Sequence, residues 1–188
     1  MVTQHHFLIA PSLARLIQRD RGTSARIVEG HFPSRPDRRQ LVRVEQGRSL
    51  LILLTQAENG QFTEEQVDVP GPHAEALMNV AAGVIAFDRT PLPLGGDIDA
   101  LLDRFLLPEG LDILTVTIPT NPHAFAPLPW FGLEVTDEPA FEARDLALGG
   151  APRIDPMEPS DVALNALLDA LEGHTPLRLR HSGTPARG

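Results

Sequence analysis

Residues 40–70 hold three runs of β-forming residues separated by two tight-turn signals, and this pattern limits the possible folds more than any other feature of the chain. The first two runs lie in RQLVRVEQGRSLLILLTQ, about Gln46-Gly47; the third, FTEEQVDVP, follows AENGQ with its Asn59-Gly60. Connections this short join antiparallel neighbours, because a parallel pair needs a crossover of a dozen or more residues. The segment is therefore expected to be an antiparallel meander of three strands.

Further runs extend the β content. QHHFLIA (4–10) and SARIVEGHF (24–32) read as strands, as does VIAFDRTPLPLGG with its prolines, and LDILTVTIP alternates strictly. PSLARLIQRD reads as a short helix with Ser12 as N-cap, and PGPHAEALMNVAAG as a helix with Ala74, Leu77, Met78 and Ala81 on one face. DIDALLDRFLLPEG has Ile98, Leu101, Leu102, Phe105 and Leu106 at spacing that favours a helix over strict alternation. EVTDEPAFEARDLA is a polar helical segment, and PSDVALNALLDALEGH is a helix capped by Ser160 and ended by Gly173. The tail TPLRLRHSGTPARG reads as frayed. Strands outnumber helices and pair as hairpins, so the class is α+β with a largely antiparallel sheet.

Composition narrows the function. The chain of 188 residues has a net charge of −9, which argues against nucleic-acid and anionic-membrane partners. Its 16 cationic residues are all arginine, and the absence of cysteine excludes disulfides and thiolate chemistry. No transmembrane run or signal peptide is visible, so a cytoplasmic protein is expected. No phosphate-loop, nucleophile-elbow or metalloprotease motif occurs. Leu94-Gly95-Gly96-Asp97 reads as a turn before it reads as a phosphate cradle. His5, His6, His31 and His73 lack ligand spacing, and adjacent strand residues point to opposite faces. Glu64, Glu65 and Asp68 read as a solvated strand face, Arg35, Arg38 and Arg39 as a solvated turn, and Trp130 as a core cap.

Order along the chain carries more. PLPWFGLEVTDEPAFEARDLA (127–147) resembles the closing stretch of the CYTH family (adenylate cyclase/thiamine triphosphatase-like proteins, or triphosphate tunnel metalloenzymes). Pro129, Trp130, Gly132, Glu134, Val135, Thr136, Pro139, Leu146 and Ala147 fit its pattern; Phe141 and Ala143 replace an expected Tyr and Asn. ARIVEGHF, LVRVEQGRSLLILL, VIAFDRTPLPLGG and DRFLLPEGLDILTVTIP resemble further family segments in order, across residues 2–147. The resemblance implies a closed antiparallel eight-stranded barrel with flanking helices over residues 1–150, followed by a C-terminal helix and tail over 151–188. It also implies a strand, not a helix, at 97–107. In the family such a tunnel holds a triphosphate between cations and a carboxylate cluster that carries Mg²⁺ or Mn²⁺.

The chain departs from that pattern where the chemistry would be. Placing Phe7 on the family's first-strand Phe puts Val2, Gln4 and His6 at the Glu, Glu and Lys positions. Glu45 stands for the second hairpin arginine, Thr55 and Phe87 for lysines, Gln66 for a glutamate, and Thr115-Val116-Thr117 for a Glu-x-Glu. Lysine-to-arginine drift does not produce His6, Thr55 or Phe87. Arg43 and Arg89, with His6, are left to hold an anion; Glu64 and Asp103, with Glu45, are left as carboxylates. The expectation is a non-catalytic CYTH-like domain without cofactor that binds a small anion or phosphorylated molecule, or serves as a scaffold. One alternative is a divergent Mg- or Mn-dependent phosphohydrolase built on Glu45, Glu64, Asp103 and His6. Another is an interaction module that uses the apolar stripe of the last helix, as a monomer or a homodimer.

Overall fold

Gln46 and Gly47 both have positive φ (49° and 79°), the two-residue turn whose twist matches a right-handed antiparallel pair. That turn joins β3 (Arg38–Glu45) to β4 (Arg48–Gln56), with Glu45 opposite Arg48. The fold is described by a computed structural model covering residues 2–23, 25–33, 35, 37–95, 98–119 and 126–173. Around this hairpin lie β1 (Val2–Leu8), β2 (Ala25–His31), β5 (Phe62–Asp68), β6 (Gly83–Pro93), β7 (Asp99–Leu107) and β8 (Glu109–Pro119). The helices are α1 (Pro11–Arg21), α2 (Gly71–Asn79), α3 (Ala143–Gly149) and α4 (Asp161–Leu171). The eight strands form one antiparallel sheet in the order β1-β8-β7-β6-β2-β3-β4-β5. It consists of two meanders, β2 to β5 and β6 to β8, joined where β2 pairs with β6; β1 adds to the second beside β8.

The α+β class and the antiparallel pairing are as expected, but the sheet is not closed by hydrogen bonds. β1 and β5 are its two edges. The reason lies in the segment after β8. Leu8 N–H donates to Leu133 O, Gly132 N–H to Leu8 O, and Val135 N–H to His6 O, all within 2.8–2.9 Å. This strap occupies the β1 edge that a closing strand would need. Gly132 is required there, since a Cβ would lie 2.4 Å from Leu8 O.

The sheet's outer face carries the main core, in which Phe7, Leu102, Leu114 and Val116 pack against Leu13 and Ile17 of α1 and Leu167 of α4. Burial of each such side chain contributes about 1.5–3 kcal/mol. α1 begins with Pro11 at its first position after Ala10, so Ser12 lies inside the helix and is not its cap. Ser160 does cap α4, its Oγ accepting from Ala163 N–H at 3.1 Å. The apolar stripe of α4 is turned inward: Ala163 and Leu167 are buried in the core, with Leu164 and Leu171 against it.

Residues 99–107 are strand, against the helical spacing of their leucines. Ala100 and Leu102 face the outer core while Leu101 and Phe105 face inward, so apolar residues occupy both faces and alternation is hidden. In the segment read as a polar helix, only Pro139–Phe141 (a 3₁₀ turn) and Ala143–Gly149 are helical; residues 134–136 are held extended against β1. Pro91 and Pro93 continue β6 beyond its last β2 partner at Arg89, where no ladder bond is lost. The C-terminal tail and Gly96-Asp97 lie outside the described residues. Among the described residues, no helix is long and apolar enough to cross a membrane.

Candidate functional site

A cavity of about 560 Å³ is lined by side chains from all eight strands. The sheet's period of two decides who faces it: even positions on β1, β4 and β5, odd positions on the others. His6, Arg43, Glu64, Arg89 and Asp103 therefore share one space; Glu45 does not line it, though its charge is felt at Arg89. Thr55 points away, and Leu54 takes the inward position beside it. His5 and His6 part company as the alternation requires. His5 Nδ1 meets Glu134 of the strap at 2.7 Å, and His6 Nδ1 shares a hydrogen bond with Thr115 Oγ1 at 3.1 Å. Trp130 is buried in the outer core.

The charged groups in the cavity are matched to one another. Arg89 donates from Nε and Nη2 to the two carboxylate oxygens of Asp103, each at 2.7 Å, a bidentate fork that engages both oxygens. Burial pushes the Asp103 carboxyl above its usual range despite Arg89. On the neighbouring meander Arg43 Nε donates to Glu29 Oε1 at 2.8 Å, and His31 Nε2 meets Glu29 Oε2 at 3.0 Å. Burial raises the Glu29 pKa, but the His31 hydrogen bond and the Arg43 charge outweigh it and leave the group below its ordinary value. At the rim Arg39 pairs with Glu142 and Arg144 with Asp145. Burial holds His6 below its ordinary pKa, ahead of the opposing pull of Asp103, which favours the neutral ring.

Glu29 was not singled out by sequence; His31 was weighed there only as a metal ligand and Arg39 only as part of a solvated turn, yet all three line the cavity. The available signal was a pair of ionisable residues at i and i+2 in VEGH, inside a strand otherwise apolar but for Arg26.

A hard divalent cation needs several anionic oxygens converging on one point. The residues present do not fit it. Both oxygens of Asp103 are committed to Arg89, and those of Glu29 to Arg43 and His31. Glu64 stands on the far meander and hydrogen-bonds Gln66, and Thr115 and Gln4 offer neutral donors. Among the described residues, no group of three or more His, Asp or Glu gathers into a metal-binding cluster.

Two solved structures of the protein NE1496, described in one case as an inorganic triphosphatase and in the other as a hypothetical protein, superpose on this chain with TM-scores of 0.63. The chain has the NE1496 fold. Sequence identity is 20% and 21%; the overlap covers 81% of this chain and 97% and 100% of NE1496. The eight antiparallel strands agree with what the CYTH resemblance implies; the closed barrel it also implies is not seen. In sequence, neither a protein-family model nor a curated protein matches the chain.

Proposed function

We propose that this chain is a non-hydrolysing small-molecule binder built on the triphosphate-tunnel fold. The observation that carries this reading is the Arg89–Asp103 fork. A cation suited to phosphate and a carboxylate suited to metal satisfy each other, and Glu29 and Arg43 repeat the arrangement on the other meander. Among the described residues, four arginines line the cavity against five carboxylates, Glu29, Glu64, Asp103, Glu138 and Glu142. A triphosphate entering it would meet no net positive field, whereas stabilising developing charge needs preorganised cations. Removing one such contact costs about 10²–10³ in rate, so losing several leaves no useful turnover.

The test is hydrolysis of tripolyphosphate by the purified chain with Mg²⁺ or Mn²⁺, alongside thermal melts. No turnover is expected, and no stabilisation by phosphate or tripolyphosphate. Asp103→Asn should then release Arg89 and create a metal-independent thermal shift with phosphate. Metal-dependent turnover by the native chain that disappears in Glu64→Gln would sink this reading in favour of a rearranged phosphohydrolase.

A further inference from the structure

We propose that the cavity takes a small organic cation with an apolar body, an aryl- or alkylammonium, in place of a phosphorylated anion. The inference rests on the non-hydrolysing reading and adds a ligand class to it.

The first observation is the wall. Phe32, Phe87, Phe105 and Phe141 line the cavity, with Leu41 and Ile52 among the aliphatic residues beside them. Phe87 and Phe105 lie with ring centroids 5.2 Å apart. Such a wall recovers nothing from a hydrated polyphosphate, but it buries an apolar body at about 25 cal/mol per Å². Aromatic faces also attract cations, and quaternary ammonium groups are recognised by rings of this kind. The site already contains one instance: the Arg89 guanidinium sits 5.3 Å from the centroid of Phe87.

The second observation is the charge left over. Each of the four lining arginines has a carboxylate partner, two of which (Glu29 and Asp103) are themselves buried. Glu64 and Glu138 also line the cavity, and neither is paired with a cation among the described residues. An arriving anion finds the charge of each lining arginine already answered by a carboxylate. An arriving cation finds two carboxylates without a cationic partner, Glu64 held only by the neutral Gln66 amide, and enters an overall field of net charge −9. Aromatic walls and surplus negative charge select the same chemistry from independent directions.

The experiment is a thermal-melt titration of the full chain with benzyltrimethylammonium, phenyl phosphate and tripolyphosphate. Above its dissociation constant the ammonium probe should raise the melting temperature by about 3–5 °C for each further tenfold in concentration, and the two anions should give no rise. Glu64 is exposed, so Glu64→Gln should melt unchanged without ligand while weakening the probe about two- to fivefold; Phe105→Leu should weaken it similarly. A larger shift with phenyl phosphate, no shift with millimolar ammonium, or equal binding to native chain and both variants overturns the inference. If these fail while tripolyphosphate stays intact, the ligand class alone is wrong. Metal-dependent hydrolysis defeats the underlying reading instead.

Discussion

Glu29 accepts from Arg43 with one carboxylate oxygen and meets His31 with the other, at 3% exposure. Breaking such a pair from one side leaves a guanidinium without its counter-charge, which is why the loss exceeds the worth of the pair itself. Glu29→Gln should destabilise the fold by about 3 kcal/mol at pH 7, the low end for a buried pair because Arg43 keeps some solvent. The folded pKa of Glu29 lies below its ordinary value of 4.5. Its stabilisation is therefore fully present above that value and is lost as the pH falls through the folded pKa. Urea unfolding of native and variant chains should show the gap closing below pH 4.5; a gap unchanged down to pH 3 would remove the carboxylate from this role. The sequence did not mark Glu29 for this role. An acidic residue in a strand reads as solvent-facing, and only the pairing of β2 with β3 brings Arg43 to it.

At the scale of elements, the strap and α4 decide how the sheet is finished. Gly132→Ala would place a Cβ 2.4 Å from Leu8 O. Forcing the strap off β1 in this way should cost about 1–3 kcal/mol, read as a lower urea midpoint with an unchanged slope. On α4, Leu167 is fully buried and Leu168 is 40% exposed. Leu167→Ala should cost about 2–5 kcal/mol, while Leu168→Ala should stay within about 0.5 kcal/mol. Equal effects would mean that the helix is not seated as described. The helix itself was legible from its cap and periodicity. β7 was legible through the family resemblance and not through its pattern: packed on both faces, it offers no alternation, and apolar residues at i, i+3 and i+4 imitate a helix. The strap escaped notice for a related reason. Its role is to satisfy backbone groups of β1, and composition does not report where backbone hydrogen bonds go.

Over the whole molecule, strand order matters more than strand count. The first strand pairs with the last, and β2 reaches across to β6, so much of the sheet is assembled from distant parts of the chain. Loop closure must precede the contacts that reward it, and folding is expected on the millisecond-to-second scale by stopped-flow fluorescence of Trp130, not in microseconds. The hairpins that set the antiparallel class were plain in the sequence. Inward and outward assignments followed from period-two alternation once the register was fixed, and a slip of one residue explains why Thr55 was placed in the cavity that Leu54 lines. The open sheet also has a consequence for solubility. β1 is covered by the strap, but among the described residues β5 pairs only with β4, and all seven of its residues are exposed. Its outer edge offers backbone donors and acceptors to any second strand, guarded by Glu64, Glu65 and Asp68. Electrostatic repulsion is thus the guard against edge-to-edge polymerisation, and it is weakest near the isoelectric point of about 5.2, where the Glu29 pair is still intact. On mild acidification the species prone to self-assemble is the folded protein, one strand at a time along β5.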